Sequence, residues 1–273
     1  MKQKSTKKLL STSLLLVLIA LVSLTAATTA WMTIADSTRL KTMRLDVTSG
    51  ANLRFDLDSH KTFEEYVKSL RLIDIADRIL RDQGYHPREN PLSPVTTTDC
   101  IHFTLENGEP AAKESYMEFV LHFMSTDDMV VHLTTAGEDG TRIFSDEVSD
   151  IAKAMRISFT ADDSTAVYDP GMEPGSEEGL GGKIFGLAKG NRIVYDASNT
   201  LFFLKAGVDK PVTVRIWLEG TDEICTDALR GVPYNIQLRF VGTDENGNLL
   251  EDSRTTTRRS AAATPTEERN ENK

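Results

Sequence analysis

The sequence predicts a mainly β fold: an antiparallel β-sandwich of jelly-roll type with one long amphipathic helix, preceded by an N-terminal transmembrane or signal helix. Three observations carry that prediction. Most apolar runs keep a period of two, the spacing of strands with one face buried. One long segment, residues 62–83, keeps three- and four-residue spacing instead. Strands and helices do not alternate regularly, which excludes a parallel doubly wound sheet.

The leader comes first. Lys2, Lys4, Lys7 and Lys8 precede a stretch with no charge until Asp36. A basic start before such a stretch is a secretory leader or a single membrane anchor. Residues 9–35 can span a bilayer, which needs about 20 residues of helix. The strongly apolar heart, residues 14–24, has the shorter length of a signal-peptide core. A cut between Ala30 and Trp31 leaves the small residues Thr28 and Ala30 before it. Cleaved leader and retained anchor both stay open. The lysines keep the N-terminus in the cytoplasm. The expectation is a single-pass membrane protein with its C-terminal domain extracellular, or a secreted protein after leader cleavage.

The exported part then divides into residues 36–250, one β-sandwich, and residues 251–273, a polar tail with too little apolar surface to order. Residues 38–58 read as two strands: Leu45 and Val47 alternate, then Leu53, Phe55 and Leu57, with Ser49-Gly50 as the turn. Thr62 and Glu65 form a capping box for the helix over residues 62–83. Its apolar stripe is Phe63, Tyr66, Val67, Leu70, Ile73, Ala76 and Leu80, and Gly84 ends it. Residues 87–98 read as a loop. Ile101, Phe103 and Leu105, then Met117, Phe119, Leu121 and Phe123, then residues 129–135 make three strands of an antiparallel meander. Residues 148–155 suggest a short helix and 156–160 a strand. Residues 161–192, rich in Asp, Glu and Gly, read as a long loop. Residues 193–204, 212–218 and 234–241 are the last apolar runs, with a short helix over 223–229.

Charged residues make up 26% and hydrophobic ones 40%, so a wholly disordered chain and a polytopic membrane protein are excluded. A net charge of −10 argues against nucleic acid as a partner. No nucleophile elbow, Walker loop, dinucleotide fingerprint or His-x-x-x-His zinc motif occurs, so no catalytic residue, metal site or cofactor is expected. His102, His122 and His132 are out of phase with their apolar neighbours and are expected to face solvent; side by side, they could converge as metal ligands. Asp244-x-Asn246-x-Asn248 begins like a calcium loop but fails at Leu249 and Thr255, so a solvated turn is the expectation. Cys100 and Cys225 form a candidate disulfide outside the cell; two separate buried thiols are the alternative.

One segment is more specific. It reads Pro211-Val-Thr-Val-Arg-Ile-Trp-Leu-Glu-Gly-Thr-Asp-Glu-Ile-Cys225, with Trp217, Leu218, Glu219, Gly220, Asp222 and Cys225 as its marked positions. The string resembles one near the C-terminal end of uncharacterised exported proteins of Gram-positive gut bacteria. The leader end, Thr28-Thr29-Ala30-Trp31-Met32, is similar to leaders of the TasA and camelysin family of biofilm-matrix fibre proteins. That resemblance implies a jelly-roll subunit that lends an N-terminal strand, residues 38–48, to its neighbour in a surface fibre. Read as residues alone, the string is a strand–turn–helix corner with Asp222 as the helix cap.

The sequence thus implies a non-catalytic cell-surface protein, structural or adhesive. It would be held in the membrane by residues 9–35 and would self-associate or join another envelope component. The competing expectation is a membrane-anchored ligand-binding module using the loop at 161–192.

Overall fold

The computed structural model describes residues 40–48, 52–148, 150–190, 193–226, 229 and 232–250. The leader, the cut at Ala30 and Trp31, the Ser49-Gly50 turn and the tail 251–273 lie outside the described residues. Among those described, no helix is long and apolar enough to cross a membrane.

The first strands are β1 (Leu40–Val47), β2 (Leu53–Asp56), β3 (Ser69–Arg71), β4 (Pro94–Thr97) and β5 (Phe103–Thr104). Then come β6 (Met117–Ser125), β7 (Met129–Leu133), β8 (Arg142–Phe144), β9 (Met155–Ala161) and β10 (Ser164–Tyr168). The last are β11 (Gly175–Gly179), β12 (Gly182–Gly186), β13 (Thr200–Leu204), β14 (Lys210–Glu219) and β15 (Tyr234–Thr243). The helices are α1 (Leu72–Gln83) and the single turn α2 (Ile151–Ala154).

Among the described residues these strands make two sheets. The first runs β13-β7-β15-β1-β3, with β8 also on β15. The second runs β11-β12-β10-β9-β14-β4-β5, with β6 on β14 and β2 on β6. Both sheets are mixed rather than purely antiparallel: β1 runs parallel to β15, β10 to β12, and β14 to β4. The predicted strand periodicity is visible in β6, where Met117, Phe119, Leu121 and Phe123 are buried and the residues between them are half-buried. One continuous core draws on both sheets, from Leu40 to Phe240. A satellite core of Val95, Cys100, Phe103, Val167 and Trp217 lies apart from it.

Several expectations are corrected. The strands β1 and β2 do not form a hairpin, because β1 belongs to the first sheet and β2 to the second. The strands β6 and β7 are split in the same way, so there is no three-stranded meander. Residues 94–97, read as loop, pair with β14 and β5.

The predicted long helix is broken. The capping box forms, with the Thr62 N–H donating to Glu65 Oε2 at 3.0 Å, but it opens only a 3-10 turn at Phe63–Glu65. Residues 69–71 are then drawn into pairing with β1, and α1 starts after them. Its N-terminus is held by the Arg71 N–H donating to Asp74 Oδ2 at 2.9 Å, and Gly84, at φ 83°, ends it. The buried face becomes Leu72, Ile75, Ala76 and Ile79, which leaves Ile73 at 45% and Leu80 at 46% exposure. A sheet partner has overridden local helical spacing here.

The described part of the segment 161–192 is also not a loop. It holds β10, β11 and β12, and a turn at Leu180 and Gly181 with φ 52° and 73°. Its glycines permit close pairing: a Cβ on Gly182 would sit 2.2 Å from the Thr165 carbonyl oxygen. Of the helix expected over 223–229, residues 223–226 are turn and irregular chain, whereas Leu229 is in 3-10 conformation.

Candidate functional site

Four places carry chemistry or unusual pairing. The first is the slot of β1. This strand lies between β15 and β3, with Leu45 opposite Leu238 on one side and Leu70 on the other. Leu40, Met43, Leu45 and Val47 are buried. Thr42 Oγ1 donates to Asn235 Oδ1 at 2.7 Å, and the N–H groups of Val47 and Thr48 donate to Lys68 and Phe240 carbonyls at 3.0 Å. The first of the described strands thus lies inside a sheet, between the short β3 and β15, the last of them.

The second place is the Trp-Leu-Glu-Gly corner. Trp217 is fully buried in the satellite core, where its Nε1–H donates to Glu219 Oε2 at 3.0 Å. Glu219 Oε1 accepts from the Thr221 hydroxyl at 2.8 Å and N–H at 3.3 Å. The Gly220 N–H donates to the Val95 carbonyl, fixing β4 to the corner. Leu218 packs in the main core. Asp222 accepts from the Ile224 N–H at 3.0 Å and from Arg156 Nη2 at 2.8 Å, and the same Nη2 lies 3.0 Å from Asp169. Burial raises the pKa of Asp169 despite that guanidinium. The side chains of Glu219, Thr221 and Asp222 are thus engaged in holding the corner. Glu219→Ala leaves the buried indole N–H without its acceptor and is expected to cost about 1–3 kcal/mol. Thr221→Ala, which keeps the Trp217 bond, should cost less; equal urea midpoints for the two variants would refute this ranking.

Cys100 and Cys225 are not bridged. Cys100 sits in the satellite core, whereas Cys225 packs against the main one. Burial pushes the Cys100 thiol up to about 11, so it is a poor nucleophile at neutral pH.

The third place was not legible in the sequence. Asp209, just before β14, accepts from Tyr66 Oη at 2.7 Å and Ser59 Oγ at 2.8 Å, and its Oδ2 lies 2.9 Å from His122 Nδ1. Asp56 stands opposite His122 across β2 and β6, 3.4 Å from His60 Nε2. His122 does alternate with the buried residues of β6, as its phase predicts, but its side chain is only 18% exposed beside Asp209. Burial works against the Asp209 carboxylate, yet hydrogen bonds from Tyr66, His122 and Ser59 outweigh that and hold its pKa below the ordinary value. A carboxylate with a depressed folded pKa stabilises the fold above its unfolded value, about 3.9, and that contribution is lost as pH falls through the folded value. Asp209→Asn should therefore flatten the acid side of a stability-against-pH curve below about pH 4. An unchanged slope would refute it.

The other histidines do not join this cluster. His132, expected at the surface, is only 1% exposed, between Asn199 Oδ1 at 2.7 Å and Thr243 Oγ1 at 3.2 Å; burial lowers its pKa. His102 is exposed, with Nδ1 2.7 Å from Asp99. Among the described residues no group of three His, Cys, Asp or Glu side chains is arranged to hold a metal ion. The oxygens of Asp244 accept from the Asn246 and Asn248 N–H groups of its own turn, at 2.8 and 2.9 Å.

The fourth place is an open groove of about 960 Å³ where the strands at 161–183 face β13. Asp163, Ser164, Glu178, Phe203 and Lys210 line it. Lys183 ties its two sides together, donating to the Ala197 and Thr200 carbonyls at 2.6 and 2.7 Å. Lys210 pairs with Asp162 at 2.6 Å.

Comparison of the chain with family models, with curated proteins and with solved structures finds no match.

Proposed function

We propose that the protein is an exported, non-catalytic subunit of the cell envelope that assembles by exchanging β1 between copies. In this reading residues 9–35 direct export or hold the chain in the membrane. The two sheets form a β-sandwich related to the jelly roll, and β1 of one copy occupies the slot between β15 and β3 of the next. The position of β1 supports this most directly. It lies near the start of the exported part, stands between two partner strands, and makes its main pairing in parallel with β15. Exchange of an identical element keeps its contacts. The resemblance of the leader to the matrix-fibre family points the same way. The groove of about 960 Å³ favours a second reading, an anchored ligand-binding module.

Thr42 and Asn235 are partners across β1 and β15, which gives a direct test. Cells making one copy with Thr42→Cys and another with Asn235→Cys are expected to yield disulfide-linked dimers, absent when either variant is made alone. A mixture that stays monomeric, while the double variant closes only within one chain, overturns strand exchange and leaves the binding module.

A further inference from the structure

The outer face of the first sheet carries a cross-strand row with an exposed apolar side chain at each end, one of which, Phe203, also borders the large groove. Phe203 on β13, Val130 on β7, Thr243 on β15 and Leu249 beyond it are successive cross-strand partners. Directly paired residues share a face, so these four side chains form one row. Phe203 is 47% exposed and Leu249 56%, and Val194 is 70% exposed. The Val194 carbonyl accepts from Asn199 Nδ2.

A pocket of about 290 Å³ opens over this row. Val130, Tyr195 and Phe203 supply its apolar lining, and Asp196, Asp244 and Glu245 its carboxylates. Hydrogen bonds from Ser198 hold the Asp196 carboxyl below its ordinary pKa, and those from Asn248 do the same for Asp244. The nearby Lys183 ammonium is held by the Ala197 and Thr200 carbonyls. Rings beside carboxylates suit a guanidinium, which stacks on an aromatic face and pairs with an acid in one placement.

The chain itself supplies such groups at this spot. The last described residue, Leu250, donates its N–H to the Gly242 carbonyl at 3.2 Å, next to Thr243 in the pocket wall. Beyond it, residues 253–260 carry Arg254, Arg258 and Arg259 and no acid. Four extended residues reach about 13–14 Å, enough to bring Arg254 from Leu250 to the pocket. We propose that residues 253–260 dock on this patch, one arginine entering the pocket between the Tyr195 and Phe203 rings and the carboxylates of Asp196, Asp244 and Glu245. The docked segment covers apolar surface beside β13, the edge strand of its sheet, where an uncovered patch invites unwanted association.

The test uses the full chain in detergent with Thr256→p-benzoylphenylalanine as a photo-cross-linker. Cross-links mapped by mass spectrometry are expected within one chain, on residues 194–203 and 243–249. Arg254→Gln, Arg258→Gln and Arg259→Gln together should lower their yield by about three-fold or more, as should Glu245→Gln with Phe203→Ser. About 1 M salt should do the same, since the Debye length there is only about 3 Å. Cross-links scattered over the described surface, or insensitive to the arginines, overturn the proposal. Links found only between chains overturn it too, by placing the segment on a second copy.

Discussion

A chain lacking residues 36–48 is expected to lose cooperative unfolding, and to regain it when a synthetic peptide of those residues is added. The argument rests on what β1 does in the sheet. Its Leu40, Met43, Leu45 and Val47 are buried, and fully burying side chains of this size stabilises by roughly 1.5–3 kcal/mol each. The sum rivals the whole stability of an ordinary domain, about 5–15 kcal/mol. Removing β1 also exposes the β15 edge and separates β3 from its partner. Unpaired backbone groups in such a slot favour any strand of the right pattern. A peptide with Leu45→Asp should fail to restore the transition, because it places a carboxylate where the native side chain is wholly buried. Two results would refute this view: a truncated chain that unfolds cooperatively by itself, or a rescue that tolerates Leu45→Asp. Rescue by the native peptide would show that the slot accepts a strand from outside the chain, which strand exchange between copies requires.

How much of this was legible in the sequence depends on whether the information is local. Period-two alternation marks β6 and β14 from residues alone, since a half-buried strand needs nothing else. Partner choice is not local. Ser49-Gly50 looks like a hairpin turn between β1 and β2, yet those strands pair with β15 and β6. The Thr62 capping box is real, but three residues of strand pairing at 69–71 cost the helix its first half. Glycines at 179, 182 and 186 read as loop, although two of them mark close backbone approach: a Cβ at Gly182 or Gly186 would meet a carbonyl oxygen. Trp217 and Glu219 are legible as a corner because their bond spans two residues. The link between Asp209 and His122 spans 87, and nothing short of the fold brings them together.

The substitution Phe240→Ala is expected to cost about 3–5 kcal/mol, the range for deleting a fully buried aromatic ring. Phe240 stands on β15 of the first sheet, and its ring meets three rings of the second. Phe123 on β6 lies 5.2 Å away at 74°, Phe55 on β2 5.7 Å away at 68°, and Phe159 on β9 5.9 Å away at 89°. These tilted and edge-on geometries place a positive ring edge on a negative face and add to the area term. Deleting the ring leaves a cavity bounded by both sheets, and neither can move in without disturbing its own ladder. Phe203→Ala provides the contrast, because its ring is about half exposed and should change stability by no more than about 0.5 kcal/mol. Urea midpoints at an unchanged slope would measure both. Similar losses for the two variants would mean that the sheets are not joined through Phe240. A steep loss for Phe240 alone would place the interlock of the sheets in this ring cluster. Strand exchange at β1, on the same sheet, would then have to leave that cluster intact.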